Sequence, residues 1–286
     1  MKSTFFSKSI LFVCFALLGL NAQAKTIYLS ASGNNTQSGL DESNAVATLG
    51  KAVSLCSSGD EISVSGMIDL SKESYDADGL RLPGLNLKIT GKEVATSGFS
   101  GSAAAIWFSG NTSITNCTFS NNQSTTGILC FADVDLTLTR CIFKDNAGTP
   151  LYITNTETAE AIKNTLRIEA CLFASNVAGE GDGGALFLDN YQEGKTVQLT
   201  IVNSTFYNNQ ADSNGGAILF SSLQAGSSVD LINNTIVGNK VTIAVAGGAG
   251  LYFHSDAQFG IKRIYNCIIE SNMAADSTGR IPNCWH

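Results

Sequence analysis

Between Ile114 and Asn272 the chain repeats one pattern of apolar and polar positions six times. Phe119, Phe143, Phe173, Phe206, Ile236 and Ile269 form its large apolar column. Three residues later every repeat carries asparagine, at Asn122, Asn146, Asn176, Asn209, Asn239 and Asn272. Five residues earlier every repeat carries an aliphatic side chain, at Ile114, Leu138, Ile168, Ile201, Leu231 and Ile264. A second pattern marks a separate strand. It follows Gly127, Gly148 and the pairs Gly183-Gly184, Gly215-Gly216 and Gly247-Gly248. Its first position reads Ile106, Leu129, Leu151, Leu186, Ile218 and Leu251, and two residues on stand Phe108, Phe131, Ile153, Leu188, Phe220 and Phe253. Period two places both columns on one side of a strand, and their apolarity turns that side inward.

Each repeat therefore predicts a glycine-preceded strand, a connection, an aliphatic strand and an abrupt turn into the Phe-x-x-Asn strand. Successive Phe-type positions lie 24, 30, 33, 30 and 33 residues apart. That variation excludes a helical solenoid with fixed hairpins and suits constant strands carrying loops of variable length. The leanest step, 22 residues from Leu129 to Leu151, is what one coil of a parallel β-helix needs. Stacked coils set equal positions about 4.8 Å apart, so identical side chains form ladders. Glycine pairs permit a bend that needs positive φ or close backbone approach. A β-sandwich would instead show hairpin turns such as Asn-Gly between its strands, and these are mostly missing.

An earlier coil is predicted at Leu80-Arg81-Leu82 and Leu87-Lys88-Ile89, with Ile62 and Val64 in the opening strand. Ser43 to Cys56 has helical spacing (Ala45, Leu49, Ala52, Val53, Cys56), with Ser43 as N-cap. A helix there would cover the apolar end of the first coil. Met273 to His286 shows no amphipathic helix, which leaves the other end to Trp285 and its neighbours, to a partner, or to self-association through an uncapped face. The expected fold is all-β, a single-stranded parallel β-helix of about seven coils with an N-terminal capping helix. Its expected segments are 1–24, a signal peptide; 25–79, cap and first strands; and 80–286, the repeats.

The N-terminus changes the picture of where this fold works. Lys2 and Lys8, the apolar run Ile10 to Leu20, and Ala22-Gln23-Ala24 form a bacterial Sec-type signal with its cleavage site. The run is too short to span a bilayer comfortably, and Cys14 within it lacks the context of a lipoprotein site. The expected mature chain starts at Lys25 and is secreted, periplasmic or on the cell surface, with no membrane span. It keeps 15 basic against 24 acidic residues, a formal charge of −9. That balance disfavours nucleic acid or anionic lipid as partner. Only 14% of residues are charged, with 28 Gly and 3 Pro, a composition of strands and turns rather than long helices. Seven cysteines remain, Cys56, Cys117, Cys130, Cys141, Cys171, Cys267 and Cys284. The odd number leaves at least one free thiol or an intermolecular bond. Without C-x-x-C spacing, and with two histidines, zinc is not expected.

Paired Phe-x-x-Asn and Gly-Gly-Ala-Ile motifs, as in Phe206 to Asn209 and Gly215 to Ile218, resemble the repeat of the polymorphic outer membrane proteins, surface-exposed β-helical adhesins. Tyr28 to Gly66 resembles the N-terminal cap of the pectate-lyase-like superfamily of right-handed β-helices. Together the resemblances cover nearly the whole mature chain. They imply a right-handed coil and a role in adhesion or surface display, although no outer-membrane barrel like that of those adhesins is expected in this chain.

The same fold hosts polysaccharide lyases and hydrolases, whose chemistry would require acids along the strands. Glycoside hydrolysis needs a pair of carboxylates at set separation. The outward fourth position after the glycines reads Ser109, Ala132, Thr154, Asp189, Ser221 and His254, with one carboxylate only. Lys262 and Arg263 offer basic groups, but no acidic cluster shares their column. No catalytic residue is assigned, and a polysaccharide lyase or glycoside hydrolase stands as the alternative function. Calcium could be sought at Asp76 and Asp78, or at Asp182 and Asp212 beside glycine pairs. One or two acids per turn are ordinary turn chemistry, and no cofactor is expected. The column between the inward residues reads Trp107, Cys130, Tyr152, Phe187, Leu219 and Tyr252 and faces outward. Trp107, Tyr152, Phe187 and Tyr252 form the candidate face for a glycan or protein ligand, unless loops after Ile153, Leu188 and Phe220 fold back over them.

The cysteine column Cys117, Cys141, Cys171, Ser204, Asn234 and Cys267 reads as small ladder residues, with one disulfide possible by spacing. Asn116-Cys117-Thr118 and Asn203-Ser204-Thr205 match the glycosylation pattern as byproducts of the repeat. N-terminal sequencing of the exported protein is expected to begin at Lys25; a start elsewhere would overturn the cleavage assignment.

Overall fold

Two one-residue corners per coil shape this molecule. Asn116, Arg140, Ala170, Asn203, Asn233 and Asn266 take left-handed backbone, with φ between 50° and 54°. Five residues on, Asn121, Asp145, Ser175, Asn208, Gly238 and Ser271 do the same, with φ between 53° and 68°. Only a three-residue strand fits between such corners, as at Thr118–Ser120, Ile142–Lys144 and Thr205–Tyr207. Asparagine tolerates this conformation better than other non-glycine residues. Arg140 and Ala170 adopt it at a cost of about 1 kcal/mol each.

The computed structural model describes residues 23–157, 160–179, 181–243, 247–257 and 260–274. Residues 1–22, Cys284 and Trp285 lie outside it, so the signal segment and the reading of the C-terminal end do too. All named strands pair in parallel, each with its equivalent in the coils above and below. Sheet A has nine strands, from Thr26–Ser30 to Ile261–Tyr265. Sheet B has eight, from Met67–Asp69 to Ile268–Glu270, and sheet C seven, from Leu80–Arg81 to Leu251–Phe253. The chain runs through A, B and C and back to A, giving seven coils complete in all three sheets. The opening strand is Thr26–Ser30, which pairs with Glu61–Ser65 one coil on; Ile62 and Val64, expected in the opening strand, lie in the second.

The predicted ladders are present and in register. Phe99, Phe119, Phe143, Phe173 and Phe206 stack with ring centroids 4.6–5.2 Å apart, and the last pair is parallel to within 1°. Such stacks add dispersion and offset-ring attraction to the burial of large apolar surface. Beside them runs the buried asparagine column. Each amide from Asn122 to Asn239 donates to the Oδ1 of the next asparagine at 2.8–3.0 Å. Its second hydrogen goes to the carbonyl of Phe99, Phe119, Phe143, Phe173 or Phe206, one coil below. Each Oδ1 also accepts the backbone N–H of the asparagine below it. Both hydrogens and the oxygen are thus used, which is what makes a buried amide tolerable.

The cysteine column does a related job. Cys171 Sγ accepts the N–H of Cys141, Ser204 Oγ that of Cys171, Asn234 Oδ1 that of Ser204, and Cys267 Sγ that of Asn234. Cysteine, serine and asparagine are interchangeable here because each is small and presents an acceptor. The cysteines among the described residues are free thiols. Burial pushes the thiol of Cys130 up to about 12 and that of Cys56 up to about 11, away from reactivity at neutral pH.

The capping helix is shorter than the sequence spacing suggested. It spans Leu49–Leu55, and Thr48 is its N-cap, accepting from Lys51 N at 3.3 Å. Ser43 is not the cap; it sits in a separate 3-10 turn, Glu42–Asn44, capped by Asp41. The backbone between, Ala45 to Thr48, is extended rather than helical, and Val46 bonds to Tyr28 and Ser30 of the first strand. Leu49, Ala52 and Val53 are buried in the core that Ile27 and Leu29 begin.

Two outcomes test this account. Asn209→Ala leaves the Asn176 N–H and one Asn176 amide hydrogen without partners and takes the side-chain donor from the Phe173 carbonyl. At about 1–3 kcal/mol for each buried orphan, denaturant unfolding is expected to lose about 3 kcal/mol or more. Asn208→Ala, at the exposed corner beside it, is expected to lose about 1 kcal/mol; equal losses would remove the ladder from its central role. The second outcome concerns acid. Burial works to raise Asp60, but the N–H groups of Ser57 (2.7 Å) and Lys25 (2.9 Å) and the nearby Lys25 charge outweigh it and hold the carboxyl below its ordinary range. A depressed pKa stabilises fully above the unfolded value of about 3.9 and is lost as pH falls through the folded value. Asp60→Asn should therefore lower the melting temperature at pH 7 and have little effect near about pH 2.

Candidate functional site

Trp107, Cys130, Tyr152, Phe187, Leu219 and Tyr252 do share one line across sheet C. They are not equally open. Cys130 is fully buried and Leu219 nearly so, while the four aromatics are half-buried. Glycine turns leading into the strands press on Tyr152, Phe187 and Tyr252. A Cβ on Gly127 would lie 2.6 Å from Tyr152 Cβ, and one on Gly248 would lie 2.7 Å from Tyr252 Cβ. Two of the three pairs divide their work. The first glycine has positive φ (+66° at Gly183, +60° at Gly215), and the second is pressed against backbone. In the third pair the positive φ falls on the second glycine, Gly248 (+50°). A Cβ on Gly216 would meet the Ala249 carbonyl oxygen at 2.2 Å.

Three of the four candidate aromatics come together. Tyr152 stands edge-on to Trp107 at 6.2 Å and to Phe187 at 5.3 Å. Tyr252 is separated from them by buried Leu219 and instead faces His254 at 6.3 Å. Burial, then the charge of Asp189, raises the Tyr152 phenol above its ordinary value, so it is a neutral hydroxyl donor across the physiological range.

Trp107 is the member built into a larger surface feature. Its indole Nε1 donates to the Asp78 carbonyl at 3.1 Å, and the Arg81 guanidinium lies 5.2 Å from the ring centroid. Arg81 also pairs with the Asp78 carboxylate at 3.1 Å, which cancels the charge of both. These groups flank a groove of about 920 Å³ that runs along the corner between sheets B and C. Its walls carry small residues such as Ala105 and Ala147, and hydrogen-bonding side chains such as Gln123 and Ser124. Asp78 is the one carboxylate among the groove's described lining residues. The sequence reading missed Arg81 as a site residue. The signal was available, since Arg81 pairs with Trp107 and so begins the outward column one coil earlier.

The residues weighed for catalysis do not converge. A register shift after Leu188 places Asp189 opposite Ser222, not Ser221. Lys262 and Arg263 belong to sheet A, where Lys262 lies 5.4 Å over the Phe253 ring and Arg263 is ion-paired with Asp230. The acids weighed for calcium are engaged in turns. Asp76 accepts from Asp78 N, Asp182 from Asn214, and Asp212 from Thr242. Among the described residues, no three acids, cysteines or histidines cluster as metal ligands. None of the described helices is long and apolar enough to cross a membrane.

The family model described as "Right handed beta helix region" matches residues 22–191, more than half of the chain. The chain belongs to the right-handed β-helix family. That assigns the hand of the coil described above and agrees with its all-parallel sheets. A second model, the Chlamydia polymorphic membrane protein repeat, matches residues 203–221, the segment with the Phe206 corner and the Gly215-Gly216 pair. No curated protein matches the chain. Among solved structures, one named rhamnogalacturonan lyase is similar at 12% identity, covering 91% of this chain and 94% of its own, with a TM-score of 0.34. A superposition that loose carries no inference about activity.

Proposed function

We propose that this β-helix is an exported, surface-associated or secreted binding module that holds a glycan chain along the groove beside Trp107. The observation that carries the reading is the half-exposed Trp107, stacked with Arg81 and bordered by Tyr152, at the edge of a long groove between two sheets. An indole offers a flat apolar face and Gln123 and Ser124 offer hydrogen bonds, the combination that a sugar ring with one apolar face and a rim of hydroxyls requires. The Arg81–Asp78 pair leaves this part of the groove without net charge, which favours a neutral saccharide over a strongly acidic one. The repeat match to a polymorphic membrane protein and the signal-like N-terminus support a place on or outside the cell surface. The lining's described residues offer no pair of carboxylates, which favours binding over glycoside hydrolysis.

The test is a glycan array probed with the mature chain, followed by titration of the best ligand. Trp107→Ala is expected to weaken binding about tenfold or more, equal to about 1.4 kcal/mol or more, and Tyr252→Ala to leave it unchanged. Full binding by Trp107→Ala would move the site elsewhere, and a preference for protein ligands would replace the glycan reading. New reducing ends or unsaturated products from any bound glycan would replace the binding module with the polysaccharide-active enzyme.

A further inference from the structure

A small cavity of about 20 Å³ lies inside the corner where sheet C returns the chain to sheet A, and its walls come from three successive coils. It gathers every buried side-chain nitrogen or oxygen that lacks a hydrogen-bond partner among the described residues. These are Asp133 Oδ1, Asp189 Oδ1, Asn190 Oδ1 and Asn155 Nδ2. Elsewhere the same fold satisfies its interior amides at every hydrogen, so four orphans on the walls of one cavity are not general looseness.

The neighbours fix how each group faces. Asn190, 7% exposed, uses its Nδ2 on the Lys195 carbonyl at 3.1 Å, which leaves its oxygen for the cavity. Asn155, 5% exposed, uses its oxygen on Gln192 N at 3.3 Å and leaves its nitrogen. Asp133 commits Oδ2 to the buried Lys195 ammonium at 2.7 Å and to Thr156 N at 3.0 Å, and Oδ1 remains. The cavity therefore presents three acceptor oxygens. Lys195 balances Asp133, whereas Asp189 takes part in none of the ion pairs among the described residues. The strand carrying Asp189 also shifts register with the next coil at this residue, the kind of local irregularity that re-aims a side chain.

We propose that this cavity binds one small hard cation, sodium or calcium, through Asp133 Oδ1, Asp189 Oδ1 and Asn190 Oδ1. The volume suits a single atom-sized guest. A water molecule there has two hydrogens for three oxygens and leaves the Asp189 charge uncompensated. A cation satisfies all three oxygens at once and cancels that charge, and hard cations select carboxylate and amide oxygens. Asn155 Nδ2 is a donor and stays outside the ligand set. Sodium matches the single surplus charge, and calcium would draw on both carboxylates. The site is separate from Asp76, Asp78, Asp182 and Asp212, whose oxygens are used in turns. Bound there, the ion joins Asp133 of one coil to Asp189 and Asn190 two coils on, close to Tyr152 and Phe187.

The experiment is thermal unfolding of the mature chain after chelation and dialysis into choline chloride. Sodium chloride and calcium chloride are then titrated separately at constant ionic strength. A saturable rise of several degrees with one of the two is expected, together with a calorimetric stoichiometry of about one. Asp189→Asn should abolish the response and lower the melting temperature at saturating cation. Without an ion site Asp189→Asn should change the melting temperature equally in sodium, calcium and choline buffers, because the partly exposed carboxylate then has no cation to lose. No rise beyond the choline control for either cation, or an equal rise in Asp189→Asn, overturns the proposal. Should Asp189→Asn not fold, the wild-type titration alone still decides it, since absence of both the shift and the binding heat refutes the site.

Discussion

Coil-on-coil stacking at the β-strand spacing is the constraint on which everything else in this protein depends. A side chain in one coil lies directly over its equivalent in the next, about 4.8 Å away, so each column must be compatible with itself. Phenylalanine satisfies that by stacking ring on ring, as from Phe99 to Phe206. Asparagine satisfies it because its amide is both donor and acceptor and can chain without end, as from Asn122 to Asn272. Glycine is required where backbone itself is the neighbour, as at Gly216 under the Ala249 carbonyl. Few residue types are self-compatible in these ways, which is why the repeat stays visible although the loops between its columns vary.

The features with functional character are places where self-compatibility is broken. Trp107 has Arg81 below it and Cys130 above, so the column changes chemistry at each step there. The large indole then projects beside a groove instead of disappearing under a glycine turn. The small polar cavity sits where the strand after Leu188 loses register with its neighbour. In a molecule whose buried polar groups are otherwise paired in columns, that slip leaves Asp189 and Asn190 with oxygens that no coil above or below can satisfy. Such a gap can be filled by an ion rather than by repacking.

The inner columns were legible in the sequence because they are repeated and because interior stacking leaves little freedom. Phe119, Asn122 and Ile114 predicted their own neighbours, and the structure places those neighbours in register. Even the mixed column Cys171, Ser204 and Asn234 was recognisable as a ladder of small residues, though its role as acceptor of backbone N–H groups emerges only from the corner geometry. Local signals were less dependable where several competed. Apolar spacing alone extended the capping helix back to Ser43, but Val46 is held in extended backbone by the first strand, so the helix starts only after Thr48.

What the sequence by itself determined is therefore the repeating interior: the fold, the ladders, the glycine bends and the line of outward positions. Only the tertiary structure decided which of those outward positions are usable. Trp107 and Leu219 occupy equivalent places in the pattern, yet one borders a groove and the other is buried. The physical reason is that an inward residue meets its own equivalent, which the repeat specifies. An outward residue meets loops and turns of variable length from neighbouring coils, which it does not. The same holds for the cavity, whose walls come from Asp133, Asn155, Asp189 and Asn190, residues of three coils whose polar groups meet only when the coils are wound.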